Sequence, residues 1–226
     1  MKEASRELAP ATPARRALHV VFCVDCSGSM AGDRIAAVND ALRSAVPAMR
    51  ATAEDNAEIE LTVRALTFAD KPEWRVAEPA TGEGIDLVAG GETNMGLALR
   101  ELADALSSGR LTGPQAPPVL ILICDGLPTD DAESGLAALA RVPFGASALR
   151  IAIAVGSDAD RELLQSFVGE AGLAPLQANN AEMLRDQIGW AASALVKATA
   201  SPAGDSARRL AAEAARRNQQ IGELLW

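Results

Sequence analysis

Two short apolar runs, each ending on an aspartate, constrain the fold of this chain more than any other sequence feature. His19–Val24 leads directly into Asp25, and Val119–Cys124 leads directly into Asp125. Unbroken apolar runs of this length, bounded by turn residues, are typical of strands buried on both faces of a parallel sheet. The sequence therefore predicts two central strands that each present a carboxylate at the carboxyl end, where ligands bind in open α/β sheets.

The turn after the first run carries three oxygen-bearing side chains in alternation. Asp25, Ser27 and Ser29 occupy every second position, so a turn at the strand end can direct one carboxylate and two hydroxyls at one point. These ligands suit Mg²⁺, a hard cation that binds few charged oxygens and retains part of its water. The residues thus predict a candidate cation site at the end of the first strand.

The chain after this turn alternates between helical and extended patterns. A helix is predicted from Asp33. Its buried face is formed by Ile35, Val38, Leu42, Val46 and Met49. Because a proline inside a helix removes a backbone hydrogen bond at a cost of ~3 kcal/mol, Pro47 predicts a kink or a stop near Val46. Glu58–Ala69 is predicted as a strand, and Glu73–Val76 as a short partner joined to it by a turn.

The second half of the chain continues this alternation. The predicted elements are a loop with four glycines at Ala80–Gly91, helices at Met95–Leu106, Asp131–Ala140 and Asn180–Val196, a further helix ending at Val168, and strands at Leu149–Val155 and Ala174–Ala178. Thr129 or Asp130 is expected to cap the second of these helices. Asp158 or Asp160 is expected to cap the helix ending at Val168. The fold class predicted is α/β: a doubly wound, mostly parallel sheet flanked by helices on both faces, with one antiparallel edge strand.

The Asp25-x-Ser27-x-Ser29 stretch resembles the DxSxS motif of von Willebrand factor A domains, which opens their metal-ion-dependent adhesion site. In that family a threonine and an aspartate from two later loops complete the site. The matching positions here are Thr93, in GGETNMGLAL, and Asp125, in VLILICDGLPTD. The resemblance covers residues 17–197. Together these residues form a far more specific signal than DxSxS alone, because each of the five taken singly is adequately explained as a turn or cap residue.

The resemblance implies a role for each of the five residues. Ser27, Ser29 and Thr93 would bind the ion directly, whereas Asp25 and Asp125 would act partly through water. The ion implied is Mg²⁺ or Mn²⁺ with one coordination position open for an Asp or Glu side chain of a partner protein. The resemblance therefore implies a metal-dependent protein-binding module.

A narrower resemblance concerns bacterial intracellular members of the TerY type, found with tellurium-resistance and stress operons. It rests on residues 28–43, GSMAGDRIAAVNDALR, and on the compact size of the chain. In such systems these modules are linked with a protein kinase and a PP2C-type phosphatase. The resemblance therefore suggests a Ser/Thr kinase and a PP2C-type phosphatase as partners.

Composition excludes several other classes of protein. The net charge of −9 argues against binding to a nucleic-acid backbone, which requires a basic surface. No window approaches the 18 or more uncharged apolar residues of a membrane span. The first residues, MKEASRELAPATPARR, lack the apolar stretch of a signal peptide. We therefore expect a cytoplasmic protein with neither a nucleic-acid nor a membrane partner.

The expected organisation is one domain with two flanks. Residues 1–16 are predicted to be a flexible arm, residues 17–200 the von Willebrand factor A domain, and residues 201–226 an amphipathic helical tail capped by Asp205. The tail either packs back on the domain or offers a helix to a partner, and its pattern alone does not separate the two.

An enzyme is the alternative hypothesis for the same strand end. Asp25 could act as the nucleophile of a Mg²⁺-dependent phosphotransferase or phosphatase. Haloacid-dehalogenase-type enzymes place a second acid two residues later, where this chain has Ser27, and a Walker glycine loop is also missing. With a single histidine, His19, a Ser-His-Asp triad has little support. A non-catalytic protein is therefore favoured.

The remaining polar and sulfur-bearing residues have simpler interpretations. Cys23, Cys26 and Cys124 are expected to be reduced, mostly buried thiols, with a redox role for Cys26 left open. Met95 is expected to belong to the core. The acids near the site are expected to be solvated charges: Asp33, Asp70, Glu92, Asp130 and Asp131.

Overall fold

The sheet is the centre of the molecule. The computed structural model describes residues 15–54, 59–76, 86–108, 117–125, 127–169, 173–199 and 212–218. Six strands within these ranges form one sheet: β1 (Arg16–Asp25), β2 (Ile59–Phe68), β3 (Pro72–Val76), β4 (Val119–Cys124), β5 (Leu149–Val155) and β6 (Leu176–Ala178). Their spatial order is β3-β2-β1-β4-β5-β6.

All neighbouring strands run parallel except the β2–β3 pair at one edge. This confirms the predicted mostly parallel sheet with an antiparallel edge strand. The order reverses beside β1, since β2 follows on one side of it and β4 returns on the other. Asp25 ends β1 and Asp125 directly follows β4. Both residues therefore lie at the carboxyl ends of adjacent strands at the switch point, where open α/β sheets bind ligands.

The helices pack in two groups around the sheet. They are α1 (Asp33–Glu54), α2 (Met95–Ser107), α3 (Ala132–Arg141), α4 (Pro143–Ser147), α5 (Arg161–Val168), α6 (Ala181–Thr199) and α7 (residues 212–218), with a short 3-10 helix at Gly28–Met30. Helix α1 packs against α6, whereas α2 packs against α3 and α4. Strand β4, which lies between them in the sheet, is buried along its whole length. This explains why its sequence is apolar at consecutive positions rather than at every second one.

Of the two outcomes predicted at Pro47, a kink or a stop, helix α1 does not show the stop. The helix continues through this residue to Glu54 and does not stop near Val46. Proline leaves the carbonyl one turn earlier without its usual donor. The buried side chains on both sides of it, Val46, Met49 and Ala53, belong to the core, and burial of each large apolar side chain contributes about 1.5–3 kcal/mol. Tertiary packing thus outweighs the local cost of the proline.

The flanks fall largely outside the described residues. Residues 1–14, predicted as a flexible arm, and most of the predicted tail, including the Asp205 cap, are among the undescribed residues. Strand β1 begins at Arg16, which pairs with Ile59. Of the tail, helix α7 packs against the end of β6: Asn218 accepts a hydrogen bond from the Gln177 amide and donates one to the Pro175 carbonyl, each at 3.1 Å. This part of the tail packs back on the domain.

Candidate metal centre

The first loop of the site follows β1 and is organised by Asp25. Its Oδ1 atom accepts a hydrogen bond from the Ser27 amide at 2.8 Å. The Ser27 and Ser29 hydroxyls lie 3.0 Å apart. Asp25 has no exposed surface and Ser27 is buried, whereas Ser29 is exposed. The predicted alternation of carboxylate and hydroxyls thus extends from a buried acid to a solvent-exposed serine.

The second loop reaches the first through backbone hydrogen bonds. The Gly90 amide donates to the Cys26 carbonyl at 2.8 Å, and the Gly28 amide donates to the Gly91 carbonyl at 3.0 Å. Gly91 has φ +86°, a conformation that side chains with a Cβ rarely adopt. This turn brings Thr93, which is buried, to the edge of the sheet that carries Asp25.

The third loop is joined to the second at Thr93. The Thr129 amide donates to the Thr93 carbonyl at 2.9 Å, and the Thr93 amide donates to the Thr129 hydroxyl at 3.1 Å. The three predicted segments therefore converge at the carboxyl ends of the central strands β1 and β4, as predicted from the sequence.

Asp130 strengthens this junction in a way that the sequence analysis missed. Its two carboxylate oxygens accept hydrogen bonds from the Gly96 and Leu97 amides, both at 2.8 Å, in the first turn of α2. Asp130 is thus a cap for α2 rather than a solvated charge or the cap of α3. Asp131 caps α3 instead, by accepting from the Ser134 amide at 2.9 Å. The signal in the sequence was weak, because a cap is normally sought next to its own helix.

Two aspartates and a thiol meet beneath the loops. One ligand atom from each of Asp25, Cys124 and Asp125 lies within 4.8 Å of the other two, and all three residues are buried. The Cys124 thiol donates to Asp25 Oδ2 at 2.9 Å. Both oxygens of Asp25 are therefore held by donors from the protein, which fixes the orientation of its carboxylate.

The electrostatics of this cluster favour a cation. Burial raises the pKa of Asp25 above its ordinary value, hydrogen bonds from Cys124 and Ser27 oppose that shift, and the charge of Asp125 adds to it. A positive charge placed between the two carboxylates would remove their mutual repulsion. Two carboxylates and two hydroxyls at one edge form an oxygen-rich donor set that fits a hard divalent cation.

Arg34 is the second residue near the site that the sequence analysis missed. Its Nη1 atom lies 3.0 Å from Asp125 Oδ2. The two residues are 91 positions apart in the chain, so no local pattern indicated the contact. Arg34 thus brings a fixed positive charge to one of the predicted metal-site residues.

Two of the cysteines and Met95 belong to the core, and Asp160 is a helix cap. Burial raises the pKa values of Cys23 and Cys26 to about 12, which disfavours the reactive thiolate form of both residues. Met95 is buried, in agreement with its expected place in the core. Asp160 caps α5 through the Leu163 amide at 3.0 Å, as predicted.

Comparison with known proteins identifies the family. The model of the von Willebrand factor type A domain matches residues 19–186. This range is well over half of the chain and contains β1 from His19 onward, the three loops and the site. The chain therefore belongs to the von Willebrand factor type A domain family.

Solved structures support the same fold. The chain is similar to proximal thread matrix protein 1 from the mussel byssus, with 18% identity and a TM-score of 0.63 over 82% of this chain and 48% of that chain. A pilus adhesin, SpaC from Lactobacillus rhamnosus GG, gives 13% identity and a TM-score of 0.61 over 82% and 31%. A von Willebrand factor type A protein from Catenulispora acidiphila gives 18% and 0.54 over 79% and 43%. At these identities the likeness concerns the fold.

Three further findings concern the comparisons, and a fourth concerns the described helices. The chain spans between about a third and a half of the length of these neighbours. One structure of the mussel protein carries a zinc-occupied MIDAS motif, with 18% identity and a TM-score of 0.62 to this chain. No curated protein matches the sequence. Among the helices that the structure describes, none combines the length and apolarity needed to cross a bilayer.

Proposed function

We propose that this domain is a non-catalytic, divalent-metal-dependent protein-binding module. The observation that carries this proposal is the convergence of three loops on a buried pair of aspartates, Asp25 and Asp125, with the Ser27 and Ser29 hydroxyls adjacent. The occupant proposed is Mg²⁺ or Mn²⁺, because carboxylate and hydroxyl oxygens are hard ligands.

Each of the five residues has a role in this proposal. Ser27, Ser29 and Thr93 supply neutral hydroxyl oxygens, and Asp25 and Asp125 supply negative charge close behind them. A divalent ion held mainly by neutral ligands keeps net positive charge and an open coordination position. An Asp or Glu side chain of a partner completes the site, and this contact is strong where water is excluded.

The surface around the site favours a protein partner. Among the described residues, the large hydrophobic side chains that are well exposed are Val88, Leu97 and Leu127. Each belongs to, or directly follows, one of the segments that join at the site: the second loop, the first turn of α2, and the third loop. Exposed apolar residues on the segments that form a polar site are typical of protein-binding surfaces.

The family resemblance suggests which partners to test first. If the chain is a TerY-type member, a Ser/Thr kinase and a PP2C-type phosphatase of a bacterial stress or tellurium-resistance system are the candidates, and the module acts in the cytoplasm. The carboxylate that binds the site would then lie on one of these proteins.

Metal binding is tested first, without a partner. Titration calorimetry with Mg²⁺, Mn²⁺ and Zn²⁺ compares the wild type with Asp25→Asn and Ser27→Ala. Each variant is expected to lose affinity by on the order of tenfold to a hundredfold. Asp33→Asn and Ser44→Ala are matched controls, because Asp33 is exposed and Ser44 bonds only within α1 among its described contacts. These controls are expected to bind like the wild type.

Partner binding is then measured against the candidate kinase and phosphatase, in Mg²⁺ and in EDTA. Capture is expected in Mg²⁺ only and is expected to be lost in Asp25→Asn. Leu127→Ser is expected to weaken capture while leaving the affinity for Mg²⁺ unchanged. Equal capture in EDTA would show that binding does not pass through a metal.

The enzyme alternative gains no support from the surroundings of Asp25. A nucleophilic carboxylate must reach its substrate, whereas Asp25 has no exposed surface and both of its oxygens accept hydrogen bonds. Incubation with phosphate esters and Mg²⁺ tests it directly. Turnover by the wild type that disappears in Asp25→Asn would contradict the binding module and show that the protein is a phosphatase.

A further inference from the structure

Arg34 lies at the point where the site meets the next strand end. Its side chain is 19% exposed, and its Nη1 atom pairs with Asp125 Oδ2 at 3.0 Å. The same nitrogen lies 3.5 Å from the Ser29 carbonyl. On the other side, Nη2 lies 3.8 Å from Asp158 Oδ1, on the turn after β5. Arg34 therefore connects a buried metal-site carboxylate with an exposed acid outside the site.

The position of Arg34 is unfavourable for its own helix. It is the second residue of α1, and a positive charge at a helix N-terminus opposes the helix dipole. Its contacts with Asp125 and Asp158 compensate for this. The helix therefore carries a charge here that its own stability does not require.

The neighbouring backbone makes room for the guanidinium. Gly156 has φ +88°, and a Cβ atom at this position would lie 2.8 Å from Arg34 Nη2. Any larger residue would be strained in its own backbone and would displace the arginine. The turn after β5 therefore packs closely against the guanidinium of Arg34 and helps to fix its position.

This position places Arg34 in conflict with a divalent ion. An ion that uses Asp125 shares that carboxylate with the guanidinium, and the two positive charges repel each other across a partly buried site where screening is weak. Asp158 offers the guanidinium another anionic acceptor. Its side chain is 69% exposed, so it is free to follow the arginine outward.

We propose that Arg34 is an internal competitor of the divalent ion: its pairing with Asp125 lowers the affinity of the site, and transfer of the guanidinium to Asp158 accompanies binding. This inference rests on the proposed metal site and adds a residue that sets its affinity. Removal of the Arg34 charge is therefore expected to tighten metal binding. If Arg34 served only to orient Asp125, its removal would instead weaken metal binding, because Asp125 would lose its orientation.

The test is calorimetric titration with Mg²⁺ alone, repeated with Mn²⁺. Arg34→Gln is expected to lower the dissociation constant by on the order of tenfold. Arg43→Gln is the matched control, because Arg43 is also on α1 and ion-paired, with Asp40 at 2.6 Å and Asp86 at 3.4 Å. This control is expected to leave the dissociation constant within about twofold of the wild-type value.

The transfer to Asp158 is tested by a double-mutant cycle. Asp158→Asn is expected to weaken Mg²⁺ binding in the wild type and to have a clearly smaller effect in the Arg34→Gln background, because its role depends on the arginine. Equal effects in the two backgrounds would contradict the transfer. An unchanged or weaker affinity in Arg34→Gln would overturn the competitor as a whole.

Failure of the inference is distinguishable from failure of the proposed function. If neither the wild type nor Arg34→Gln binds Mg²⁺ or Mn²⁺, the metal site itself is wrong, and the competitor is wrong with it. If the wild type binds and Arg34→Gln binds no tighter, the metal site stands and only the role of Arg34 is refuted.

Discussion

His19 and Asp25 lie six positions apart on β1, and both are buried and titratable. The surroundings of each residue shift its pKa in the direction that favours the neutral form. Burial lowers the pKa of His19, Arg64 lowers it further, and Glu60 opposes the shift. Neither ring nitrogen of His19 makes a hydrogen bond in the described structure. Burial likewise raises the pKa of Asp25. Around His19, burial and Arg64 outweigh the stabilising effect of Glu60 on a positive charge, whereas Asp25 lies where a bound cation would compensate its negative charge.

The protonation of His19 gives a pH dependence of known sign. Its pKa in the folded protein lies below the unfolded value of about 6.5, so the unfolded chain binds more protons in the interval between the two. The free energy of unfolding is therefore expected to fall as the pH is lowered from 7 through that interval. Denaturant titrations between pH 7 and 5.5 measure the slope.

His19→Leu provides the comparison for this prediction. Leucine removes the ionisable group from a buried strand position and is expected to flatten the slope in this pH range. Because His19 is the only histidine, an NMR titration of its ring protons assigns the shift without ambiguity. An ordinary or raised pKa for this ring would contradict the prediction.

At the scale of elements, α2 depends on a residue from another loop. Its N-cap residue, Asn94, makes no capping hydrogen bond through its side chain. Asp130 satisfies two amides of the first turn instead. Gly96 permits this approach, because a Cβ atom there would lie 2.2 Å from the Asp131 carbonyl oxygen. Helix capping and assembly of the site are therefore the same interaction.

Asp130→Ala is expected to affect both stability and metal binding. Loss of a helix cap costs about 0.5–2 kcal/mol in the free energy of unfolding, measured by chemical denaturation. Because the second and third loops join beside Thr93, the affinity for Mg²⁺ is also expected to fall. Asp131→Ala, which removes the cap of α3, is the control: a similar loss of stability with little change in affinity. Equal affinities for Mg²⁺ in the two variants would show that the Asp130 cap does not contribute to metal binding.

The elements that the sequence predicted correctly are those fixed by local patterns. Apolar runs and helical periodicity located β1, β4, β5 and α2 because their burial depends on the side chains within each element. The stop considered at Pro47 and the role predicted for Asp130 were wrong for a common reason, since each is decided by contacts from elsewhere in the chain. The contact of Arg34 was missed for the same reason, whereas the sequence could indicate the DxSxS residues because they lie within five positions of one another.

At the scale of the whole molecule, the strand order explains why separated segments form one site. The three loops follow β1, precede α2 and follow β4, and the parallel sheet brings these points to the same edge at its switch point. The hydrogen bonds that the Gly28 amide donates to Gly91 and the Thr129 amide donates to Thr93 join neighbouring loops. Two buried acids, Asp25 and Asp125, lie at this point of a chain with net charge −9. Because a cation held there would bind the folded protein only, its binding is linked to the stability of the entire fold.

Hydrogen exchange tests this linkage across the molecule. Saturation with Mg²⁺ is expected to slow amide exchange in residues 26–30, 90–94 and 127–131, because one ion restrains all three loops. At ten times the dissociation constant the free energy of unfolding is expected to rise by about 1.4 kcal/mol. Residues 161–168 in α5 lie outside the site and serve as the internal reference for local protection. Protection confined to residues 26–30 would mean that the ion is held by the first loop alone, so that the sheet aligns the other two loops without their sharing the metal.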